Sequence, residues 1–451
     1  MRSHVRIPAT LVTSVTLAVL CAVLAAPLAL AEPPARLLVH AGRLVDGVSA
    51  AREMVTVIVE GDRIAEVVAG FRVPAPGEKV LDLSDATVLP GFIDLHVHLG
   101  MEMSPEAYLD QFTQNPTDVA LRAVVHARTT LRAGFTTVRN LGDGYGVTIS
   151  LRDAIRRGWV EGPRIFTAGK AIGTTGSHAD PTNGWCDLIE GDPGPKDGVA
   201  NGADEMRKAV RQRYKERADL IKITATGGVL SLARSPNAPQ FTQDEVDAVV
   251  KTARDYDLPV AVHAHGAEGM KRALRAGVDS IEHGTQMDDE AIQLFKEKGS
   301  WYVPTLSAGV FVGQKAKLDG YFPEVVRPKA ALVGAQIRAT AAKAVQSGVR
   351  VAFGTDAGVF PHGENGKEFG YLVEAGMTPM AAIQAATFQA AKVLRAEKEL
   401  GSVEPGKLAD LVAFRRNPLD DVSVLATAPE LVMKGGVVVA GGGTGGKGTA
   451  R

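Results

Sequence analysis

The sequence predicts an α/β protein, a (β/α)8 TIM barrel joined to a small β-sandwich that is built from both chain ends. Two observations predict this fold. From residue 90 to residue 398, eight short apolar runs alternate with amphipathic stretches of helical length, starting with GFIDLHVHLG. On both sides of this region, apolar and polar residues alternate and turn residues recur, which is typical of antiparallel strands. The length of 451 residues accommodates both parts.

Residues 1–31 are predicted to be a signal peptide. The basic start MRSHVR precedes a long apolar run, and the sequence ALA at positions 29–31 matches a small-residue cleavage site. An uncleaved membrane anchor is the alternative. We expect an exported protein, periplasmic or secreted, without stable membrane insertion after cleavage. Cys186 then remains as a single cysteine and forms no internal disulfide. The glycine-rich residues 441–451 are predicted to form a flexible tail.

Residues 32–89 and 399–440 are predicted to form the composite β-sandwich domain. Val55, Val57 and Val59 alternate with other residues before a GDR turn, and the alternating pattern returns after LGSVEPGKLADLV. Residues 90–398 form the predicted barrel. The formal net charge of -1 implies no general attraction to nucleic acid.

Metal-ligand residue types stand at the ends of several predicted barrel strands. Histidines two apart in a strand point to the same side, as in HVH and HAH, although two core histidines are the alternative reading of HVH alone. Active residues of such barrels gather at the carboxyl ends of the strands. The residues expected to converge there are His96, His98, Lys222, His263, His283 and Asp356.

Lys222 lies in the middle of the apolar run DLIKITATGG. An unpaired buried ammonium is costly, so the amine either pairs with a carboxylate or stays neutral and adds carbon dioxide to form a carbamate. A carbamate offers two oxygens and can bridge two metal ions. Nitrogen and oxygen ligands suit zinc, manganese or cobalt. Two such ions activate a water between them and polarise a carbonyl, while Asp356 can move a proton to the leaving nitrogen.

The motifs GFIDLHVHLG, IKITATGG, VAVHAHG, IEHGT, FGTDAG and LGSVEPGKLADLV resemble the amidohydrolase superfamily over most of the chain. The resemblance is to the branch with secreted Xaa-Pro dipeptidases, imidazolonepropionase-like proteins and ochratoxin-hydrolysing amidohydrolases. Imidazolonepropionase itself, as a one-metal enzyme without the bridging lysine, fits less well. The resemblance implies that His96, His98 and Asp356 bind one ion, and that His263 and His283 bind the other. It also implies a carbamylated Lys222 bridging two Zn2+ ions, and a symmetric homo-oligomer, often an octamer.

Other residues are candidates for contacts with the substrate. His178, in GTTGSHADPTNGW, is expected over the metals with a catalytic role, or else lies in a surface loop. His265 either supports a metal ligand or contacts substrate, which makes it a further catalytic candidate. Arg139 pairs with a ligand carboxylate, with a substrate carboxylate or with a structural carboxylate. His362, with Glu364, is expected at the mouth of the site, and Arg234 is a candidate for binding a carboxylate.

These features predict a binuclear metal-dependent amidohydrolase that acts on a small-molecule amide. The amine side would be an amino acid, as in an Xaa-Pro dipeptide, an N-acyl amino acid or an ochratoxin-like aryl amide. The same centre would also serve a cyclic amidohydrolase, a lactonase or a phosphotriesterase. A non-enzymatic scaffold is the remaining alternative.

Overall fold

The structure is a computed structural model that describes residues 36–232 and 234–441. Its strands form one mixed sheet and two parallel sheets. The predicted signal peptide lies outside the described residues, as does the predicted tail except for Gly441. In chain order, the strands are β1 (Arg36–Leu44), β2 (Arg52–Glu60), β3 (Arg63–Ala69), β4 (Lys79–Pro90), β5 (Phe92–Val97), β6 (Phe135–Asn140), β7 (Arg164–Thr167), β8 (Ile221–Thr224), β9 (Val260–Ala264), β10 (Ser280–His283), β11 (Trp301–Val303), β12 (Leu411–Phe414), β13 (Leu431–Lys434) and β14 (Val437–Gly441).

Helices follow most of the parallel strands. They are α1 (Ala107–Thr113), α2 (Pro116–Arg132), α3 (Val147–Arg156), α4 (Gly202–Lys215), α5 (Gln243–Asp255), α6 (Ala267–Ala276), α7 (Asp289–Lys298), α8 (Leu306–Lys315), α9 (Arg327–Gln346), α10 (Lys367–Glu374), α11 (Pro379–Ala385) and α12 (Phe388–Val393), with a short 3-10 turn at Val422–Ala426. Within the described residues, no helix combines the length and apolarity needed to cross a bilayer.

The mixed sheet joins the two ends of the described chain. Its strand order is β14-β13-β12-β4-β1-β2-β3. Strand β4 pairs in parallel with β1 and antiparallel with β12, where Pro90 lies opposite Leu411. The predicted pairing of early and late strands is therefore present. The sandwich form and the domain boundaries stay predictions.

The parallel strands form sheets of order β5-β6-β7 and β11-β10-β9-β8. A parallel bridge between Ile172 and Ile223 links the two sheets. Because helices lie between successive parallel strands, the predicted α/β class is confirmed.

The eighth predicted strand, VRVAFGTDAG, differs from the prediction. It makes two isolated parallel bridges, from Val351 to Tyr302 and from Ala357 to Val97, instead of a continuous strand. The backbone leaves the extended conformation at Asp356, whose φ is 62°. That residue places its carboxylate beside His96 of β5 and His98, which follows β5.

The stretch AAIQAATFQAAKVLRAE, whose composition and length suit a single helix, forms two helices, α11 and α12. Thr387 separates them in a non-helical conformation with φ -129° and ψ -99°, and its hydroxyl donates to the Ile383 carbonyl at 2.7 Å. A side-chain bond to the backbone of this kind competes with helix continuation.

Gly91 joins the mixed sheet to the first parallel strand. A Cβ at this position would lie 2.2 Å from the Thr136 hydroxyl oxygen, so a larger residue does not fit. The Gly91 N–H donates to the Asp410 carbonyl at 2.8 Å. This close packing fixes the start of β5, which carries His96 and leads into His98.

Candidate metal centre

Two clusters of ligand-type side chains stand at the ends of the parallel strands. Within each cluster, one ligand atom per residue lies within 4.8 Å of the others; the clusters are His96, His98 and Asp356, and His263, His265 and His283. The Nε2 atoms of His96 and His98 lie 3.4 and 3.2 Å from Asp356 Oδ1. The rings of His96 and His283 are 5.0 Å apart between centroids, so the two clusters adjoin.

Hydrogen bonds fix which nitrogen the first two histidines present. Nδ1 of His96 lies 3.0 Å from Glu282 Oε2, and Nδ1 of His98 lies 3.0 Å from the Gly142 carbonyl. A carbonyl and an ionised carboxylate only accept, so both Nδ1 atoms carry the proton. The lone pair of Nε2 is then directed at the site, which is the usual arrangement of metal-binding histidines.

In the second cluster, the ring nitrogen that stays available for a ligand differs between His263 and His283. The Thr305 hydroxyl donates to the Pro304 carbonyl, so it accepts from His283 Nδ1, at 2.7 Å, and leaves Nε2 for a ligand. His263 is reversed, because its Nε2 donates to the Gly227 carbonyl at 3.2 Å and leaves Nδ1. His265 places Nδ1 2.8 Å from the Thr285 hydroxyl. The structure therefore brings His265 into the same cluster as the predicted ligands.

Two of the ligand residues have left-handed backbone conformations. The φ angles are 70° at His283 and 62° at Asp356. Such conformations cost about 1–3 kcal/mol each in residues other than glycine and concentrate at functional sites. Tight contacts hold them here, since the Tyr302 hydroxyl donates to the His283 carbonyl at 2.9 Å and the Asp356 N–H donates to the His96 carbonyl at 2.7 Å.

The surroundings of the Lys222 amine show whether these residues fit a pair of metal ions. Its Nζ is buried and has no hydrogen-bond partner among the described residues. Burial lowers the pKa of Lys222 to about 8, against the opposing charges of Glu282 and Asp356. About a tenth of such amines is neutral at pH 7, and the neutral form is the one that reacts with carbon dioxide. An unsatisfied, reactive amine beside the histidine clusters fits a group that bridges two ions.

A buried ion pair between Glu282 and Arg139 lies on the side of His96 that faces away from the cluster's Nε2 atoms. The Glu282 carboxylate accepts from His96 Nδ1, from Arg139 Nη2 at 2.8 Å and from the Ser280 hydroxyl at 2.6 Å. Burial alone would raise the pKa of Glu282, but Arg139 and His96 lower it to about 2. Arg139 is 2% exposed and also donates to the Leu95 carbonyl. Of the three alternatives for Arg139, the structure therefore shows pairing with a structural carboxylate, and its enclosed guanidinium is not placed to contact substrate.

The buried histidines make the stability of the metal-free protein dependent on pH. Burial lowers the pKa of His96 and His265 to about 4 and that of His178 to about 3. In the unfolded chain, histidine titrates near 6.5. Below that pH the unfolded chain binds protons that the folded protein excludes. The stability present above pH 6.5 is therefore lost as the pH falls toward 4, by up to about 1.4 kcal/mol per pH unit for each histidine.

Calorimetry of the metal-free protein measures this dependence. The Tm should fall steadily from pH 6.5 to pH 4.5, and His265→Gln should have a shallower slope because it removes one of the buried histidines. An identical Tm throughout this range would contradict the buried, neutral state of the histidines.

The structure places His178 against the second cluster, and its catalytic role stays a prediction. Its ring lies 4.4 Å from that of His263 between centroids, and its Nδ1 is buried with no hydrogen-bond partner in the described part of the chain. The ring covers Gly228, where a Cβ would come within 2.2 Å of the imidazole. The His178 N–H donates to the Gln240 side chain at 2.9 Å, which holds the loop in place.

His362 does not line the mouth as expected. It is 7% exposed and stacks on His126 at 4.4 Å between ring centroids. Its Nε2 donates to the Met101 carbonyl at 3.0 Å, and its Nδ1 faces the Thr130 hydroxyl at 3.4 Å. The expectation of a substrate contact is corrected, because both ring nitrogens already have partners. Arg234 lies exposed in its loop and stays a prediction.

Sequence reasoning missed Asp94, which connects His96 to Thr355, the residue before Asp356. Its Oδ1 accepts from the N–H groups of His96 and Thr355, both at 3.0 Å, and its Oδ2 accepts from the Thr355 hydroxyl at 2.6 Å. Burial raises the pKa of Asp94 to about 6. An acidic residue inside the apolar run GFIDLHVHLG, two positions before His96, was the signal that could have revealed it.

Comparisons with known proteins identify the family of this chain. Residues 87–439 match the model of the amidohydrolase family. Ochratoxinase of Aspergillus niger is 31% identical over 433 residues, covering 90% of this chain and 87% of the relative.

Two solved structures extend the comparison. A Xaa-Pro dipeptidase with bound methionine is 54% identical with a TM-score of 0.86, covering 90% of this chain and 99% of the other. A prolidase complexed with N-methylphosphonate-L-proline is 31% identical with a TM-score of 0.81, covering 89% and 99%. With a matching family model over most of its length and these ligand clusters at its strand ends, the chain belongs to the amidohydrolase family of hydrolytic enzymes.

Proposed function

We propose that this protein is a binuclear metal-dependent amidohydrolase that cleaves an amide bond whose amine side is an amino acid. The observation that carries the two-metal proposal is the buried, unpartnered Nζ of Lys222 beside the two ligand clusters. Similarity to proteins described as a Xaa-Pro dipeptidase, a prolidase and ochratoxinase supports the choice of bond. The substrates in question are Xaa-Pro dipeptides, N-acyl amino acids and ochratoxin-like aryl amides.

We propose that the parallel strands close into a (β/α)8 barrel, with residues 351–357 in the eighth position, and that the mixed sheet forms a β-sandwich. The parallel bridges of Val351 with Tyr302 and of Ala357 with Val97 support closure. We also propose that the protein is exported, on the basis of residues 1–31, and forms a homo-oligomer such as an octamer.

The residues suit two Zn2+ ions. His96, His98 and Asp356 would hold one ion, His263 and His283 the other, and a carbamylated Lys222 would contact both. When bound, the ions supply an activated water and polarise the substrate carbonyl.

Asp356 carries the proton in this proposal. Burial would raise the pKa of Asp356, but His96, His98 and Lys222 hold it below its ordinary value. The carboxylate is therefore ionised at neutral pH, where it can accept a proton from water and pass it to the leaving nitrogen.

His178 orients the substrate. Its imidazole is neutral at pH 7, since burial lowers its pKa to about 3. The Nδ1 atom lacks a partner among the described residues, so it is available for a hydrogen bond with the substrate. His265, whose Nδ1 lies 2.8 Å from the Thr285 hydroxyl, is the second candidate for a substrate contact.

A hydrolysis panel with the zinc- or cobalt-loaded protein tests the function. We expect cleavage of Xaa-Pro dipeptides or N-acyl-phenylalanine, detected as release of the free amino acid. A lactone and a phosphotriester serve as controls for the same metal chemistry. Turnover of either control without cleavage of any amide would overturn the assignment to amides of amino acids.

A further inference from the structure

A short segment after the Asp356 loop carries two buried side chains that contact residues bonded to the two ligand clusters. It begins at Asn365 and ends at Glu368, and both side chains are 0% exposed. The Glu368 N–H donates to the Asn365 carbonyl at 3.2 Å, so the two residues lie on one turn of backbone. None of the metal-ligand candidates belongs to this segment.

Asn365 reaches the first cluster through Asp94. Its Nδ2 donates to Asp94 Oδ2 at 2.8 Å and lies 3.4 Å from the Thr355 hydroxyl. Asp94 in turn accepts from the backbone N–H groups of His96 and Thr355. Asn365 thus fixes the carboxylate that holds His96 and the residue preceding Asp356 in one arrangement.

Glu368 reaches the second cluster through helix α8. Its Oε1 accepts from the Leu306 N–H at 2.8 Å, and its Oε2 accepts from the N–H and hydroxyl of Ser307 at 2.7 Å each. The preceding residue, Thr305, has a left-handed φ of 53° and accepts from His283 Nδ1. The carboxylate therefore secures the start of the helix, where a negative charge is favoured, and with it the hydrogen-bond partner of His283.

Glu368 is costly to bury. Burial raises the pKa of Glu368 to about 7, and Asp94 adds repulsion. Among the described residues, its hydrogen-bond partners are N–H and hydroxyl donors rather than a cation. A buried carboxylate held only in this way is a poor means of adding stability, so a role in the geometry of the site accounts better for its presence.

We propose that Asn365 and Glu368 are positioning residues that each set one half of the metal centre, Asn365 through His96 and the residue before Asp356 in the first cluster, and Glu368 through His283 in the second. This inference rests on the two-ion centre of the proposed function. It predicts that each side chain controls the metal affinity of its own half and not of the other.

The experiment uses two background variants, each of which retains only one of the two ligand clusters. His98→Ala disables the first cluster and His263→Ala the second, so each background retains one. Metal-free protein is titrated with Co2+ in competition with a chelator, and the visible absorption of the bound ion reports its geometry. In the His98→Ala background, Glu368→Ala should raise the Kd for Co2+ by about tenfold or more, while Asn365→Ala changes it little. In the His263→Ala background, the order should reverse.

Two further variants separate positioning from general stability. Glu368→Gln keeps a side-chain acceptor for the helix, so it should recover part of the Co2+ affinity and the wild-type spectrum. Thr378→Ala removes an ordinary helix cap, because the Thr378 hydroxyl accepts from the Ala381 N–H, and it should leave both affinities unchanged. Circular dichroism checks that every variant is folded.

In an otherwise wild-type chain, Glu368→Ala or Asn365→Ala should leave one tightly bound ion per chain after dialysis against the chelator. Retention of two ions, or equal weakening of both halves by either variant, would overturn the inference while leaving the metal-dependent function intact. Wild-type protein that binds no divalent ion would overturn the proposed function, and this inference with it.

Discussion

Lys222→Ala is expected to remove the divalent metal and the hydrolytic activity together. Loss of a residue that merely supports a metal ligand costs roughly 10–100-fold in affinity or activity. If Lys222 contacts both ions as proposed, its loss should lower kcat more than about 100-fold. Inductively coupled plasma mass spectrometry should show a fall from two ions per chain to one or none.

Lys434→Ala is the matched control for this substitution. Lys434 is a partly buried amine whose pKa is also lowered to about 8 by burial, but it donates to the Gly162 carbonyl from the mixed sheet. This variant should lose stability and keep both metal ions. Full metal content and unchanged activity in Lys222→Ala would show that Lys222 does not bridge the ions.

Glu282→Gln should cause the largest loss of stability among single substitutions at the site. It leaves the Arg139 guanidinium buried without its carboxylate, and breaking a buried pair in this way costs about 3–5 kcal/mol. Because the same carboxylate orients His96, metal affinity should also fall roughly 10–100-fold. Urea unfolding of the metal-free protein measures the first effect, and chelator competition measures the second.

Two comparisons isolate the buried charge. Glu399→Gln removes a carboxylate that pairs with Arg63 at 2.8 Å, but both side chains are about half exposed, so the cost should stay below about 1 kcal/mol. Adding Arg139→Met to Glu282→Gln should recover part of the lost stability, since no uncompensated charge remains. A Glu282→Gln variant as stable as the wild type would refute the importance of the pair.

The candidate ligands could be found from sequence because their spacing follows the backbone. Side chains two apart on a strand share a side, so His96 with His98, and His263 with His265, were expected as pairs. The class of fold followed from the alternation of strands and helices for the same reason. Both inferences need only local periodicity.

The hydrogen-bond partners of these ligands could not be predicted from local sequence patterns. Glu282 lies 186 residues from His96 along the chain, so no spacing rule connects them. Which nitrogen His263 presents depends on the Gly227 carbonyl, a backbone group that every residue has. The open alternatives for Arg139 were decided by burial, and His362 was misassigned because proximity in sequence to Asp356 does not imply exposure to the same space.

The mixed sheet also constrains the order in which the molecule can be assembled. Strand β4 needs β12 as a neighbour, and residues 90 and 411 meet only after the entire stretch between them has been synthesised. Contacts between such distant residues form late and slow folding. A nascent chain must therefore carry an unfinished sheet edge until its last strands emerge, and deletion of those strands should leave an aggregation-prone intermediate instead of a smaller working enzyme.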